Sequence, residues 1–125
     1  MRAFVAASLV ALWASPVLAT SSVSCASLDF NQRVDLTLGD VPGAAVVGAG
    51  IEFGKTRWSL VDGDIAVGQA FFEDQRWMID FVDPNFERIL ASLRLLQASE
   101  AGDYVLDGIL IVPGEGAWPL ICEGP

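Results

Sequence analysis

The chain has 125 residues, with 16 acidic and 7 basic side chains and a formal net charge of −9 at pH 7. Nucleic acids and anionic membrane surfaces are bound through clustered Lys and Arg, so this acidic balance argues against both as partners. The sequence contains no histidine, which excludes Ser-His-Asp and Cys-His catalysis and zinc sites built on imidazole. A hydrophobic content of 53% predicts a folded domain and not a disordered tail.

The N-terminal residues predict an export signal. Residues 1–3 are short and basic, residues 4–14 are an apolar run of about 11 residues, and residues 15–19 end in the small side chains that signal peptidase recognises. A bilayer-spanning helix needs about 20 apolar residues, so a retained anchor is the weaker interpretation. We expect residues 1–19 to be cleaved off as a signal peptide, which leaves residues 20–125 as a single periplasmic or secreted domain without membrane attachment.

Cys25 and Cys122 stand near the two ends of the predicted domain. An even pair of cysteines in an exported protein most often forms a disulfide, and closure of so long a loop would stabilise the fold by roughly 4–5 kcal/mol. Acylation of Cys25 would need a lipobox directly after the apolar run, and a redox pair or a metal site would need closer spacing or further ligands. We therefore predict a Cys25–Cys122 disulfide, which requires the first and last strands to be neighbours.

Short apolar runs separated by frequent turn residues are typical of an antiparallel β domain. Residues 28–38 alternate between apolar and polar side chains and end at a turn cluster, residues 39–43. The whole pattern predicts an all-β fold, a small antiparallel barrel or sandwich of about seven to eight strands whose ends the disulfide joins.

A hairpin is predicted in the middle of the chain. Residues 51–61 form a strand candidate, in which Gly54 indicates a bulge. Asp62 and Gly63 follow between apolar flanks, the chemistry of a tight turn with positive φ. We expect residues 65–72 to pair back on residues 51–61.

The segment at about residues 84–98 has two interpretations. Asp83 followed by Pro84 is typical of a helix start, and the apolar residues after it fit a helical stripe, which would give a β-sheet with a single packed helix. Residues 89–95, however, also alternate as in a half-buried strand, and residues 104–112 alternate in the same way. We favour two paired strands here and a short last strand, residues 118–122.

Paired carboxylates are the remaining route to catalysis. Asp62 lies close to Asp64 in sequence, and Asp80 lies close to Asp83. However, Asp62 and Asp64 flank a turn glycine and Asp83 precedes a proline, positions at which turn formation alone favours aspartate. A calcium site needs about six oxygen ligands or more, and the D-x-[DN]-x-[DN]-G spacing is absent. We expect no enzymatic activity, no metal site and no cofactor.

Tryptophans next to turns are the candidates for a binding surface. Most aromatic side chains of a small β domain pack in its core. Trp77 and Trp118 are the candidate exceptions, because both lie where a strand end meets water, and Arg76 precedes Trp77. An exposed Trp with a nearby Arg can anchor a protein partner. Arg76, Trp77 and Trp118 are therefore the predicted partner contacts.

These observations favour a small exported, non-enzymatic protein-binding module, such as an inhibitor or an assembly accessory. Its negative charge would attract a basic partner. The alternative is a glycan- or small-ligand-binding module, which needs a concave site or an aromatic platform.

Overall fold

A computed structural model describes residues 20–39 and 45–124 of the chain. These residues form nine β-strands and no helix, which confirms the all-β prediction. The predicted signal peptide, residues 1–19, and residues 40–43 of the predicted turn cluster lie outside the described residues. The strands are β1 (Thr20–Ala26), β2 (Gln32–Gly39), β3 (Ala45–Phe53), β4 (Thr56–Ser59), β5 (Ala66–Glu73), β6 (Arg76–Val82), β7 (Ile89–Glu100), β8 (Asp103–Val112) and β9 (Gly116–Glu123).

The nine strands of the described part form one sheet in the order β4-β3-β2-β1-β9-β8-β7-β6-β5. Every neighbouring pair is antiparallel, and the sheet curls into a half-barrel. The first and last strands therefore meet at the centre of the sheet, while the edges are β4 and β5, which follow one another in the chain. One end of the half-barrel, which we call the loop end, carries the turns β1–β2, β3–β4 and β8–β9 and the β6–β7 loop.

The predicted disulfide is present at this central pair of strands. Cys25 of β1 lies directly opposite Cys122 of β9, and the bond joins residues that are 97 positions apart in the chain. A structural disulfide indicates an oxidising, non-cytoplasmic compartment.

Every second side chain of each strand points into the half-barrel and fills it. Strand residues alternate between the inner face and the outer face, as period-2 geometry requires. The largest fully buried side chains of the described strands include Val23, Val34, Leu36, Ile51, Ile79, Phe81, Leu93, Leu106, Leu110 and Leu120.

The hairpin predicted at Asp62 and Gly63 is wrong. Gly54 has a φ of 56° and lies in a turn, so residues 51–61 contain the end of β3 and all of β4. β5 pairs with β6 and not with β4. Nine strands that are each antiparallel to their neighbours leave the two edge strands running in the same direction, and a tight hairpin can join only antiparallel strands. The β4–β5 connection is therefore a longer turn, in which Gly63 N donates to the carbonyl of Leu60.

Residues 84–98 do not form a helix, so strand is the correct interpretation of this segment. β7 begins at Ile89, and the preceding loop is organised by Asp83. The Asp83 carboxylate accepts hydrogen bonds from the backbone N–H groups of Glu87 (2.8 Å) and Arg88 (2.7 Å). An aspartate that caps backbone N–H groups satisfies the same chemistry in a loop as at a helix start, which explains why both interpretations fit the sequence.

Candidate functional site

Trp77 lies on the inner face of β6 and belongs to the core. Its side chain is 6% exposed, and its ring packs edge-to-face on Phe72 with centroids 5.0 Å apart. The indole Nε1 donates a hydrogen bond to Gln97 Oε1 at 3.1 Å, which satisfies the one polar group of the ring. This placement offers a partner almost no Trp77 surface.

Trp118 is half-buried on the inner face of β9, at the loop end of the half-barrel. It stacks on Phe53, with centroids 6.3 Å apart, and Phe53 in turn contacts Trp58 edge-to-face at 4.9 Å. The three rings form an aromatic cluster at this end of the core. Trp118 thus supports that end of the core, and its half-exposed ring stays a predicted partner contact.

Arg76 is exposed at the start of β6. The strand register places it opposite Glu73 of β5 and Leu96 of β7. It lines two shallow depressions on the outer face of the sheet, one of them with Phe71 and Met78. Of the three predicted contacts, Arg76 is the most exposed.

Exposed apolar side chains cross the outer face of the sheet from β5 to β9. We call this set the outer strip. Its members are between 37% and 63% exposed and are Phe71, Met78, Leu96, Ile109 and Ile121. The strand registers place them in adjacent rows, because Phe71 is opposite Met78, while Leu96 and Ile121 both lie opposite Asp107. Arg94 lies between Met78 and Ile109 in one row, and Asp107 between Leu96 and Ile121 in the other. Several large apolar side chains exposed together on one face are more typical of an interaction site than single exposed apolar residues.

A depression of about 290 Å³ lies at the centre of the outer strip, between β6, β7 and β8. Its walls come from Met78, Leu96 and Ile109, with the side chains of Arg76 and Arg94 beside them. A depression of this size fits one apolar side chain of a partner, the type of contact that dominates binding energy at protein interfaces.

Asp80 fixes Arg94 beside this depression. The Asp80 side chain lies on the outer face of β6 yet is only 5% exposed, and Arg94 Nη1 lies 2.9 Å from its Oδ1. Burial alone would raise the pKa of Asp80, but Arg94, the Ser92 hydroxyl and the Gln69 amide hold that pKa below its ordinary value. Arg94 Nη1 also donates to the carbonyl of Leu93 at 3.0 Å, so the guanidinium is held along the strand.

Acidic side chains border the outer strip at the opposite end from the aromatic cluster. The β5–β6 and β7–β8 turns lie side by side there, because Gln97 N donates to the carbonyl of Gln75 at 2.7 Å. Both turns use left-handed backbone, at Asp74 and Gln75 and at Ala101 and Gly102, as two-residue hairpins require. The acidic residues of these turns are Glu73, Asp74, Glu100 and Asp103.

A second concave feature, which we call the mouth cavity, lies at the loop end of the half-barrel. It has a volume of about 510 Å³ and is lined by residues of three chain segments. The β3–β4 hairpin supplies Phe53, Thr56 and Trp58, the start of β7 and the loop before it supply Arg88, Ile89 and Leu90, and the β8–β9 turn with the end of β8 supplies Val112, Pro113 and Glu115.

The outer strip was not found from the sequence. Leu96 follows the core residue Leu95, and Ile109 precedes the core residue Leu110, so the sequence pattern of both strands is dominated by their buried phase. The sequence does contain a signal for this surface. Met78, Leu96 and Ile109 are apolar although they occupy strand positions whose side chains point to solvent.

Comparison of the chain with protein-family models, curated proteins and solved structures finds no match. Residues 20–39 and 45–124 contain no helix that is long and apolar enough to cross a membrane. Within the same ranges, no group of three or more Cys, Asp and Glu side chains is arranged to hold a metal ion.

Proposed function

We propose that the protein is a small exported, non-enzymatic module that binds a basic partner protein through the outer strip, as an inhibitor or an assembly accessory would. The observation that carries this proposal is the exposure of five large apolar side chains in adjacent rows of one sheet face. Monomeric proteins seldom leave such a surface uncovered. The proposed location is the periplasm or the extracellular space, in agreement with the disulfide.

The net charge of the chain and its acidic turns favour a basic partner, and the arginines beside the central depression, Arg76 and Arg94, would face neutral or acidic groups of that partner. The two acidic turns lie at one end of the strip, Asp107 lies between Leu96 and Ile121, and the whole chain carries −9. A partner with an apolar patch and a basic rim would complement both features, and electrostatic attraction would speed its association. Arg76 would contact the partner at the edge of the central depression.

The rigidity of the sheet supports the same proposal. Neighbouring strands hold the apolar rows in register, and the disulfide joins the two halves of the sheet beside Ile121. A preformed surface loses little conformational freedom when a partner binds, so more of the contact energy appears as affinity.

Capture with a matched pair of variants tests the proposal. Oxidised protein comprising residues 20–125 is immobilised and exposed to the exported proteins of its cell. We expect a basic protein to be retained at low salt and released as the salt concentration rises. Leu96→Asp should weaken this binding by at least about 2 kcal/mol, or roughly 30-fold, because it places a charge in the apolar contact.

Val61→Asp is the control, since Val61 is 81% exposed but lies on the β4–β5 connection, outside the outer strip. Retention of the same protein by Leu96→Asp would contradict the assignment of the outer strip. Failure to retain any basic protein, or burial of the strip in a stable homodimer seen by analytical ultracentrifugation, would contradict the proposed function.

A further inference from the structure

The mouth cavity has the size of a small-ligand site. Its volume of about 510 Å³ lies within the roughly 300–1,000 Å³ that such sites occupy. Its walls come from both halves of the sheet, since β3 and β4 lie on one side of the central β1–β9 pair and β7 and β8 on the other. The cavity is separate from the outer strip, because it opens at the loop end of the half-barrel and not on the outer face.

The floor of the mouth cavity is aromatic. Phe53 is buried between Trp58, at 4.9 Å, and Trp118, at 6.3 Å, so the position of each ring is fixed by its neighbours. Trp58 is half-buried and lines the cavity beside Phe53. A tryptophan ring held in this way offers a flat apolar face to a ligand.

The rim of the mouth cavity carries one cation, one anion and one hydroxyl. Arg88 can only donate hydrogen bonds, Glu115 can only accept them when ionised, and Thr56 can do both. Neither Arg88 nor Glu115 forms an ion pair with another described residue. Because their formal charges are opposite, the rim favours neither an anionic nor a cationic ligand, and it presents donors and acceptors together.

Arg88 is positioned through its backbone. Its N–H group donates to Asp83 Oδ1 at 2.7 Å, and its carbonyl accepts from Asp83 N at 3.1 Å. The hydrogen bonds from the backbone N–H groups of Arg88 and Glu87 keep the pKa of Asp83 below its ordinary value, so the carboxylate is ionised and holds the loop at neutral pH. The backbone that carries Arg88 is therefore fixed before a ligand arrives.

We infer that the mouth cavity binds a neutral sugar, with a pyranose ring stacked on Trp58 and its hydroxyls bonded to Arg88, Glu115 and Thr56. A pyranose has an apolar C–H face, which matches the aromatic floor. Its edge carries hydroxyl groups that both donate and accept, which matches a rim of donors and acceptors without net charge. This site is independent of the partner-binding surface, so either can fail without the other.

Isothermal titration calorimetry with defined probes tests this inference. The probes are three neutral trisaccharides, maltotriose, cellotriose and chitotriose, together with decanoate as an anionic, apolar ligand. We expect at least one trisaccharide to bind with a Kd of about 1 mM or tighter and decanoate not to bind. Arg88→Gln and Glu115→Gln should each weaken that binding about tenfold, because each removes a charge-assisted hydrogen bond.

Three further variants separate loss of binding from loss of folding. Trp58→Phe keeps an aromatic ring in the cluster but shortens the stacking face, so we expect weaker binding by a folded protein, with folding checked by circular dichroism. Arg57→Gln is the matched control for Arg88→Gln, since Arg57 is exposed beside Trp58 on the other face of β4, where Glu52 pairs with it at 3.5 Å. Thr56→Val removes the rim hydroxyl with little change in shape.

We expect Arg57→Gln to bind the trisaccharide as the wild type does, and Thr56→Val to bind it less tightly. The inference is overturned if none of the three trisaccharides binds, if decanoate binds in an Arg88-dependent way instead, or if Arg88→Gln and Glu115→Gln bind the trisaccharide as tightly as the wild type.

Discussion

Asp80 is the residue on which the outer face of β6 depends. It is almost completely buried although it lies in the solvent-facing phase of the strand, because Arg94, Gln69 and Ser92 surround it. Burial of a carboxylate is tolerated only when its oxygens are paired. Asp80 thus forms the centre of a small buried polar cluster on the outer face, and this cluster holds Arg94 beside the outer strip.

Replacement of Asp80 by alanine should lower the free energy of unfolding by about 1–3 kcal/mol, since Arg94 loses its ion-pair partner and Gln69 loses its acceptor. The loss stays in this range because the Arg94 side chain is 35% exposed and water can hydrate it. Urea unfolding monitored by fluorescence measures the difference. Asp35→Ala is the control, because Asp35 is exposed and accepts one hydrogen bond from Ser24, so its loss should cost less than about 0.5 kcal/mol.

The stabilisation by Asp80 should depend on pH. Its pKa is lower in the folded protein than the ordinary value of 3.8, so its contribution is complete above that value and is lost as the pH falls through the folded-state pKa. We expect the stability difference between the wild type and Asp80→Asn to be largest at neutral pH and to shrink below about pH 4. A difference that stays constant down to pH 2.5, roughly, would contradict the assigned ion pair.

At the scale of elements, the approach of β7 to β8 depends on Gly108. A Cβ at this position would overlap the carbonyl oxygen of Arg94, and Gly108 lies opposite Leu95 in the ladder. Glycine is the residue that allows backbones to approach so closely at a bend in a curled sheet.

Gly108→Ala should therefore destabilise the protein by at least about 2 kcal/mol, because the methyl group forces the two strands apart. Thermal unfolding followed by circular dichroism measures this. Gly50→Ala is a matched strand control, since its added methyl would meet nothing within 4 Å. Equal melting temperatures for Gly108→Ala and the wild type would show that the ladder between β7 and β8 is looser than described.

Comparison of the elements with the sequence shows which of their features local patterns can predict. Alternation correctly predicted β7 as a strand, because period 2 holds over residues 89–95 even where helix-start signals precede it. The turn residues Asp62 and Gly63 predicted that the flanking strands pair with each other, and they do not. Local turn chemistry does not determine in which direction the next strand runs. Trp77 is buried because it shares the inner phase of Ile79, although its position beside a turn had suggested an exposed contact. The exposure of Leu96 depends on what covers the outer face, and no local pattern contains that information.

At the scale of the whole molecule, the disulfide should contribute much of the stability. Replacement of Cys25 and Cys122 by alanine should lower the free energy of unfolding by up to roughly 4–5 kcal/mol, because the open chain has far more unfolded conformations. Urea unfolding of the variant and of the oxidised protein measures the difference. Thiol titration of the denatured, unreduced protein should find no free thiol, and two free thiols would contradict the bond.

The central position of β1 and β9 has a consequence for the order of folding. On either side of this pair, every strand is joined in the sheet to its neighbour in sequence, so β1–β4 and β5–β9 are two meanders built from local contacts. Local pairing is fast, whereas contacts between distant residues form slowly.

Only three residue pairs, Ser24 with Glu123, Cys25 with Cys122 and Ala26 with Ile121, join the two meanders along the β1–β9 ladder of the described residues. This junction cannot form until the last strand of the chain is present. We therefore expect the two meanders to form first and the β1–β9 junction last, with the disulfide locking it after assembly. Once the disulfide has been reduced, the same junction should be the first part of the sheet to separate on heating, whereas in the oxidised protein the bond holds it.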